Sequence, residues 1–188
     1  YGIFDTDTRY ARETQRIRMF TAIKNDILNY ENIVNAVKII FKEFNRYLTE
    51  AEQDKLYRTV TTSIAGRIST NIIASTIAKH VIERTSFTFV VFKGKGNPIT
   101  ALSTLLLFGG MAERSIRTSD RLKSDAPEVY QLLRPRDYDL LYFLFADAVQ
   151  PFVDAIHAGY SEGKPVFNQI IKKVNEKLTA HTTAGTYE

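Results

Sequence analysis

The apolar and polar positions along the chain predict a series of helices, of which residues 60–82 form the most apolar. At about 100° per residue, two rows of isoleucine and valine fall on different sides of this helix. The rows are Ile64, Ile68 and Ile72 on one side and Ile73, Ile77 and Val81 on the other. Because Ala, Ser and Thr occupy most of the positions between, nearly every side is apolar or small. We therefore expect the other helices to pack around this one.

Capping and breaking residues divide the rest of the chain into further helices. Thr49 and Glu52 match the capping box, in which each side chain bonds the backbone N–H of the other. Pro98 suits the first position of a helix, and Pro151 predicts a kink in a helix that Gly159 ends. Together these signals predict helices over residues 5–23, 26–47, 50–84, 98–125, 127–134, 136–158 and 165–178.

The fold class predicted from this pattern is all-α, a compact multi-helix bundle with an apolar central hairpin. It contains at most one short extended segment, residues 86–92 (SFTFVVF), where aromatic and β-branched residues interrupt the helical spacing. We expect a single helical domain over residues 1–188 with a frayed tail at 179–188, and a start at Tyr1 indicates excision from a longer chain. The predicted core combines Ile64, Ile68, Ile72, Ile77, Leu105, Leu106, Leu141, Leu144 and Phe145.

Charge is distributed unevenly along the chain. The net charge is +4, and the apolar residues 59–112 carry five basic residues against Glu83 alone. Two explanations fit: long side chains that reach past a core into solvent, or attraction to an anionic surface. The absence of cysteine excludes disulfides and thiolate metal sites and is compatible with either redox compartment. No uninterrupted apolar run reaches about 18 residues, which argues against a constitutive membrane span.

Few residues are able to do chemistry. His80 and Glu83 are three residues apart on the apolar helix, and Asp154 and His157 repeat that spacing, so each pair shares a helix face. No nucleophile or metal ligand accompanies either pair, and pairing on a helix surface explains both. No phosphate-binding loop and no nucleophile elbow occurs. We therefore expect no catalytic residue, no cofactor and no metal.

Arginines form two rows at helical spacing. The rows are Arg9, Arg12, Arg16 and Arg18, and Arg114, Arg117 and Arg121. Aspartates near the second row, such as Asp120 and Asp125, cancel its field. A solvated charged face is therefore favoured over a phosphate-binding stripe, and nucleic acid is not the expected partner.

The order of the apolar segments is the most specific feature of the sequence. Residues 60–82, 86–92 and 99–112 follow one another, joined by a cationic turn and flanked by amphipathic helices. Over residues 26–178 this organisation resembles that of the pore-forming colicins and related bacterial toxin domains. In those proteins amphipathic helices shield an apolar hairpin until it meets a membrane. Their hairpin lies near the C-terminus, whereas here it is central.

The resemblance implies a membrane-active toxin or effector domain of a bacterial competition or secretion system, which acts through the hairpin on an anionic membrane. It also implies a protein that is secreted or delivered to a target cell. The residues expected to contact the membrane are the apolar and basic side chains of the hairpin. They are Phe87, Phe89, Phe92, Lys93, Lys95, Leu105, Leu106 and Phe108.

Two other functions remain open at this point. The first is a non-catalytic helical interaction module, such as a binding, immunity or adaptor protein, whose segment 86–92 pairs with a protein partner. The second is a nucleic-acid-processing enzyme, based on the arginine rows and on His80 and Glu83. An ordinary bundle in which the apolar hairpin is simply the core explains the same pattern.

Overall fold

The computed structural model describes residues 3–25, 27–60, 71–81 and 98–184, and the side chains of 8–25, 27–56, 71–81, 110–173 and 176. Within these ranges the chain consists of helices joined by turns and short links, which confirms the predicted all-α bundle. The segment 86–92, predicted to be extended, lies outside them.

Three helices form the N-terminal part of the bundle: α1 (Ile3–Lys24), α2 (Tyr30–Asn45) and α3 (Glu50–Val60). Asn29 caps α2, because its side chain accepts a hydrogen bond from the Asn32 N–H at 2.8 Å. α2 therefore begins later than the predicted start at residue 26. The capping box of α3 is confirmed, since Thr49 and Glu52 each bond the backbone N–H of the other at 3.2 Å.

The next two helices are α4 (residues 71–81) and α5 (Pro98–Asp125). The predicted continuation of one helix from Glu50 to Arg84 crosses residues 61–70, outside the described ranges. α5 begins at Pro98, as predicted, and runs on through Gly109 and Gly110 without a break.

Two short turns of 3-10 helix separate α5 and α6 from the C-terminal helices. α6 (Pro127–Leu133) starts at its proline as predicted, and η1 (Arg134–Arg136) and η2 (Tyr138–Leu140) follow. The prediction of one helix over 136–158 is wrong at its start. Asp137 has φ 59°, a left-handed conformation that no right-handed helix contains, and α7 (Tyr142–Ser161) begins only after it. Pro151 lies inside α7.

The connection from α7 to α8 (Lys164–Ala184) is a two-residue link. The predicted stop at Gly159 is wrong, because the left-handed residue that ends α7 is Gly163, with φ 95°. The N–H groups of Glu162 and Gly163 both bond the Ala158 carbonyl, at 2.8 and 3.1 Å, and these bonds close the end of the helix. α8 continues beyond the predicted end at Leu178, into the segment that was expected to fray.

The described core is built around α7, which packs against α2, α5, α6 and α8. At its centre four phenylalanines from α2, α7 and α8 meet with ring centroids 4.9 to 6.2 Å apart; they are Phe41, Phe44, Phe152 and Phe167. Of the predicted core residues, Leu141 and Phe145 are buried and Leu144 packs against the core. The side chains of Ile64, Ile68, Leu105 and Leu106 lie outside the described set.

Helix α4 is amphipathic rather than buried on nearly all sides, which corrects the expectation for residues 60–82 over its described part. The buried side chains are Ile73, Ala74, Ala78 and Val81. Lys79 and His80 are exposed, while Ile72 and Ile77 are half-buried. At about 100° per residue Ile72 falls between the exposed Lys79 and Thr76, on the side of the helix opposite the buried residues.

Gly159 and Gly110 are both helical but differ in the space around them, so substitution by alanine is expected to change stability in opposite directions. An added Cβ at Gly159 lies 2.8 Å from Tyr47 Cε1, and the Tyr47 ring is held by stacking on Phe167 with centroids 5.0 Å apart. We expect Gly159→Ala to lower the free energy of unfolding by about 1 kcal/mol, because overpacking outweighs the gain in helix propensity.

Gly110 is the matched control. An added Cβ there meets nothing within 4 Å, so Gly110→Ala is expected to raise the free energy of unfolding by about 0.5–1 kcal/mol. Urea denaturation of both variants measures the two changes. Changes of the same sign would contradict the close approach of Tyr47 to α7.

Candidate functional site

A cluster of ion pairs fastens the C-terminal half of α1 to the turns that precede α7. The Arg18 guanidinium donates to both carboxylate oxygens of Asp139, at 2.9 and 2.5 Å, and to Asp137 Oδ1 at 2.9 Å. Gln15 accepts from Arg18 Nε, and Arg134 reaches Asp137 from the other side at 3.2 Å. The left-handed backbone at Asp137 allows both carboxylates to face one arginine. We call these residues the Arg18 clamp.

Asp139, the carboxylate at the centre of the clamp, is fully buried. Besides Arg18, it accepts a hydrogen bond from Ser119 Oγ of α5 at 2.6 Å. Ser115, one turn earlier, donates to the Leu140 carbonyl at 2.6 Å. The clamp thus joins α1, α5 and η2. The Arg18 guanidinium compensates the negative charge of Asp139, and the hydrogen bonds from Arg18 and Ser119 occupy both carboxylate oxygens.

The protonation state of Arg18 is secured by these partners. Burial alone lowers the pKa of a guanidinium. The hydrogen bonds and charges of Asp139 and Asp137 outweigh that effect and raise the pKa of Arg18 above its ordinary value. The sequence placed Arg18 in a solvated row, but it lies at the edge of the face that carries Met19 and Ala22, both buried.

The first half of α1 projects from the bundle. The side chains of residues 8–14 are all exposed, and the first half-buried side chain is that of Gln15. Helical segments of about 12 residues or fewer are marginal without tertiary contacts. Residues 8–14, whose side chains are all exposed, therefore have little packing to stabilise them.

A second apolar stripe runs along the outer side of α1. Tyr10 is 78% exposed, Ile17 63% and Phe20 64%. At about 100° per residue these three fall within a sector of roughly 80°, opposite the buried Met19 and Ala22. α1 thus carries apolar residues on two opposite sides, of which the described structure covers one.

Charged residues surround and interrupt this outer stripe. Arg9 and Arg16 are exposed beside it, Arg12 is exposed further round the helix, and Glu13 falls within its sector. We call Tyr10, Ile17 and Phe20, together with these four charged residues, the α1 outer face. Aromatic residues and arginines are enriched at protein-binding surfaces, whereas carboxylates such as Glu13 are depleted there.

A cleft of about 300 Å³ lies between α5 and the N-terminal half of α7. Its rim carries the second arginine row, and its apolar floor is formed by residues of both helices. The lining comprises Arg114, Arg117, Thr118, Arg121, Leu122, Asp125, Ala126, Tyr142, Phe143, Ala146, Asp147, Gln150 and Val153. The sequence identified this arginine row but not the α7 residues opposite it.

A chain of hydrogen bonds orders one wall of the cleft. Tyr142 donates to Gln150 Oε1 at 3.0 Å, and Gln150 Nε2 donates to Asp154 Oδ1 at 2.8 Å. Burial, followed by the charges of Asp154, Asp125 and Asp147, raises the pKa of Tyr142 above its ordinary value. The tyrosine therefore keeps its proton and remains a donor to Gln150.

Of the two predicted polar pairs, only Asp154 and His157 lie wholly within the described residues. Asp154 and His157 were expected to interact, but Asp154 accepts from Gln150, and His157 Nδ1 lies 2.6 Å from Glu128 Oε1. His80 is exposed on α4, and Glu83 lies outside the described residues. Within the described chain, no group of three or more His, Cys, Asp or Glu residues is placed to hold a metal ion.

The predicted membrane-contact residues fall largely outside the described structure. Phe87, Phe89, Phe92, Lys93 and Lys95 precede α5 and are not described. Leu105, Leu106 and Phe108 belong to α5, and their side chains are among those not described. Across the helical segments that the structure describes, none combines the length and hydropathy needed to cross a membrane.

Comparison of the chain with protein-family models, with curated protein sequences and with solved structures gives no match. Among the described residues, the features that suggest a function are the α1 outer face, the Arg18 clamp and the cleft.

Proposed function

We propose that the protein is a helical protein–protein interaction module that docks through the α1 outer face. The observation that carries this proposal is the second apolar stripe of α1, exposed on a helix whose first half projects from the bundle. An amphipathic helix that inserts one face into a groove is a recurring mode of protein recognition. Binding would also supply the packing that the projecting half lacks.

The charges of α1 indicate the chemistry of the partner. Arg9, Arg12 and Arg16 outnumber Glu13 along the exposed face. A complementary surface is an apolar groove whose rim is acidic, with room for the Tyr10 and Phe20 rings. Aromatic residues and arginines are also the residues that most often dominate binding energy.

The membrane-active function implied by the sequence organisation is the competing proposal for this same face. Basic residues beside apolar ones are typical of helices that lie in the membrane interface. Glu13, however, falls inside the apolar sector at about 100° per residue, between Phe20 and Ile17. Lipid would bury this carboxylate without a partner, whereas a protein groove can pair it. The position of Glu13 therefore favours a protein partner.

The Arg18 clamp gives the docking helix a fixed direction. Its bidentate contact with Asp139 holds α1 at the start of the packed half, next to the point where the helix leaves the bundle. A rigid helix loses less conformational entropy on binding than a flexible one. The clamp thus acts as a support for the α1 outer face.

Site-specific crosslinking tests the proposal. Benzoylphenylalanine replaces Phe20 in one variant and Tyr160 in another, a matched position since Tyr160 is 72% exposed on α7. In lysate from the native cells, we expect one protein with an acidic surface to crosslink from position 20 and none from position 160. With that protein purified, Ile17→Ala should weaken binding about tenfold or more, measured by calorimetry.

Two results would overturn the proposal. The first is equal crosslinking from positions 20 and 160. The second, measured by vesicle sedimentation, is that the chain binds anionic phospholipid vesicles and that Ile17→Ala abolishes this binding, which would favour the membrane-active function. Circular dichroism of each variant checks that the bundle is intact.

A further inference from the structure

The cleft between α5 and α7 has opposite electrical signs at its two ends. Arg114, Arg117 and Arg121 occupy one side of α5 within a sector of roughly 60° and span about 10 Å along the helix axis. Asp125 lies about 6 Å further along the same helix, and Asp147 of α7 is a second carboxylate in the cleft lining. The cleft therefore passes from a basic end to an acidic end.

The arginines of the basic end have little to neutralise them. Arg117 is 72% exposed on its side chain and comes no closer than 3.9 Å to Glu113. Among the described residues, neither Arg114 nor Arg121 makes an ion pair within 4 Å. Like charges three and four residues apart on a helix repel one another. An anion held between these guanidinium groups would remove that repulsion and accept several of their N–H donors.

The acidic end is rich in hydrogen-bond acceptors. Asp125 and Asp147 contribute carboxylates to the lining. Gln150 is held by Tyr142 and Asp154, which fixes the wall between the two ends.

We propose that this cleft binds a small phosphorylated molecule of about mononucleotide size, with its phosphate at the arginines and an exocyclic amine at the aspartates. A volume of about 300 Å³ is at the lower end of the range for small-molecule sites, which matches one nucleotide. Leu122, Phe143 and Val153 form an apolar floor for the ring between the two polar groups.

A nucleic-acid strand fits the same cleft less well. A polyanion needs positive charge along its whole path, whereas Asp120, Asp125 and Asp147 lie on or beside this one. A mononucleotide and a nucleic-acid strand both carry phosphate, so the length of the bound ligand distinguishes them. The proposal concerns a surface separate from the α1 outer face and does not depend on the protein partner.

Calorimetric titration of the full chain with four defined probes tests the proposal. The probes are inorganic phosphate, adenosine, uridine monophosphate and cytidine monophosphate. We expect the cytidine nucleotide to bind at least about tenfold more tightly than the uridine nucleotide, because only its base carries an exocyclic amine, and more tightly than phosphate or adenosine.

Matched variants locate the binding. Replacement of both Arg114 and Arg121 by glutamine should weaken cytidine monophosphate binding at least tenfold. Replacement of Arg9 and Arg12 by glutamine makes the same change of charge on α1 and should leave that binding unchanged. Asp147→Asn should reduce the preference for cytidine over uridine, while uridine monophosphate binds as before.

The opposite results would overturn the proposal. They are no binding of either nucleotide at millimolar concentration, equal affinity for the two nucleotides, or equal losses in the cleft and α1 variants. Tighter binding of a single-stranded oligonucleotide, with a steep dependence on salt, would assign the arginines to nucleic acid instead. Thermal unfolding of each variant verifies that it is folded.

Discussion

Asp139→Ala is expected to lower the free energy of unfolding by about 3–5 kcal/mol, the largest effect that we expect from any polar substitution in this chain. The substitution leaves the half-buried Arg18 guanidinium without its bidentate acceptor and leaves Ser119 Oγ without its partner at 2.6 Å. Arg18 keeps its bonds to Asp137 and Gln15, but a buried charge that loses its bidentate partner retains much of the cost of desolvation. Guanidinium chloride denaturation measures the change.

Two further variants distinguish a lost ion pair from lost packing. Asp120→Ala removes an exposed aspartate of α5 and should change stability by no more than about 0.5 kcal/mol. Joint replacement of Arg18 by methionine and Asp139 by leucine removes both charges and should recover much of the loss. A double variant as unstable as Asp139→Ala would show that shape rather than charge decides the effect.

Phe44→Ala is expected to lower the free energy of unfolding by about 3–5 kcal/mol through loss of apolar contacts and formation of a cavity. The Phe44 ring is fully buried and contacts Phe41, Phe152 and Phe167 at centroid distances of 5.2 to 6.2 Å. It therefore joins α2, α7 and α8 at one point, and its removal weakens all three contacts.

Phe20→Ala makes the same chemical change on the α1 outer face, where the ring is 64% exposed. It should alter the stability of the isolated chain by no more than about 0.5 kcal/mol. Equal losses for the two variants would place Phe20 in the core and would remove the exposed stripe on which the proposed function depends.

The helices that the sequence predicted best are those whose signals are local. The capping box of Thr49 and Glu52, and the starts at Pro98 and Pro127, depend on interactions within one turn, and all three are confirmed. The start of α7 could not be predicted in this way. The left-handed backbone at Asp137 is stabilised by Arg18, which lies 119 residues earlier in the chain.

The candidate sites were only partly visible in the sequence for the same reason. The row of Arg114, Arg117 and Arg121 follows from helical spacing, but the cleft exists because Tyr142 and Asp147 lie across from it. Arg18 was placed among solvated arginines, although it is the member of its row that lies beside Ala22. Helical periodicity identifies faces, whereas the partner of each face is set by tertiary packing.

The span of the Arg18 clamp has a consequence for synthesis of the chain. Arg18 and Asp139 are 121 residues apart, so α1 leaves the ribosome long before the carboxylate that fixes it. At about 5–20 residues per second this interval lasts roughly 6–24 s. By contrast, α7 and α8 meet across a two-residue link, so that pair is able to form as soon as both helices have emerged. α1 is thus able to pack on α5, where Ser115 Oγ lies 3.6 Å from Met19 Sδ, before Asp139 is synthesised, and the clamp closes late.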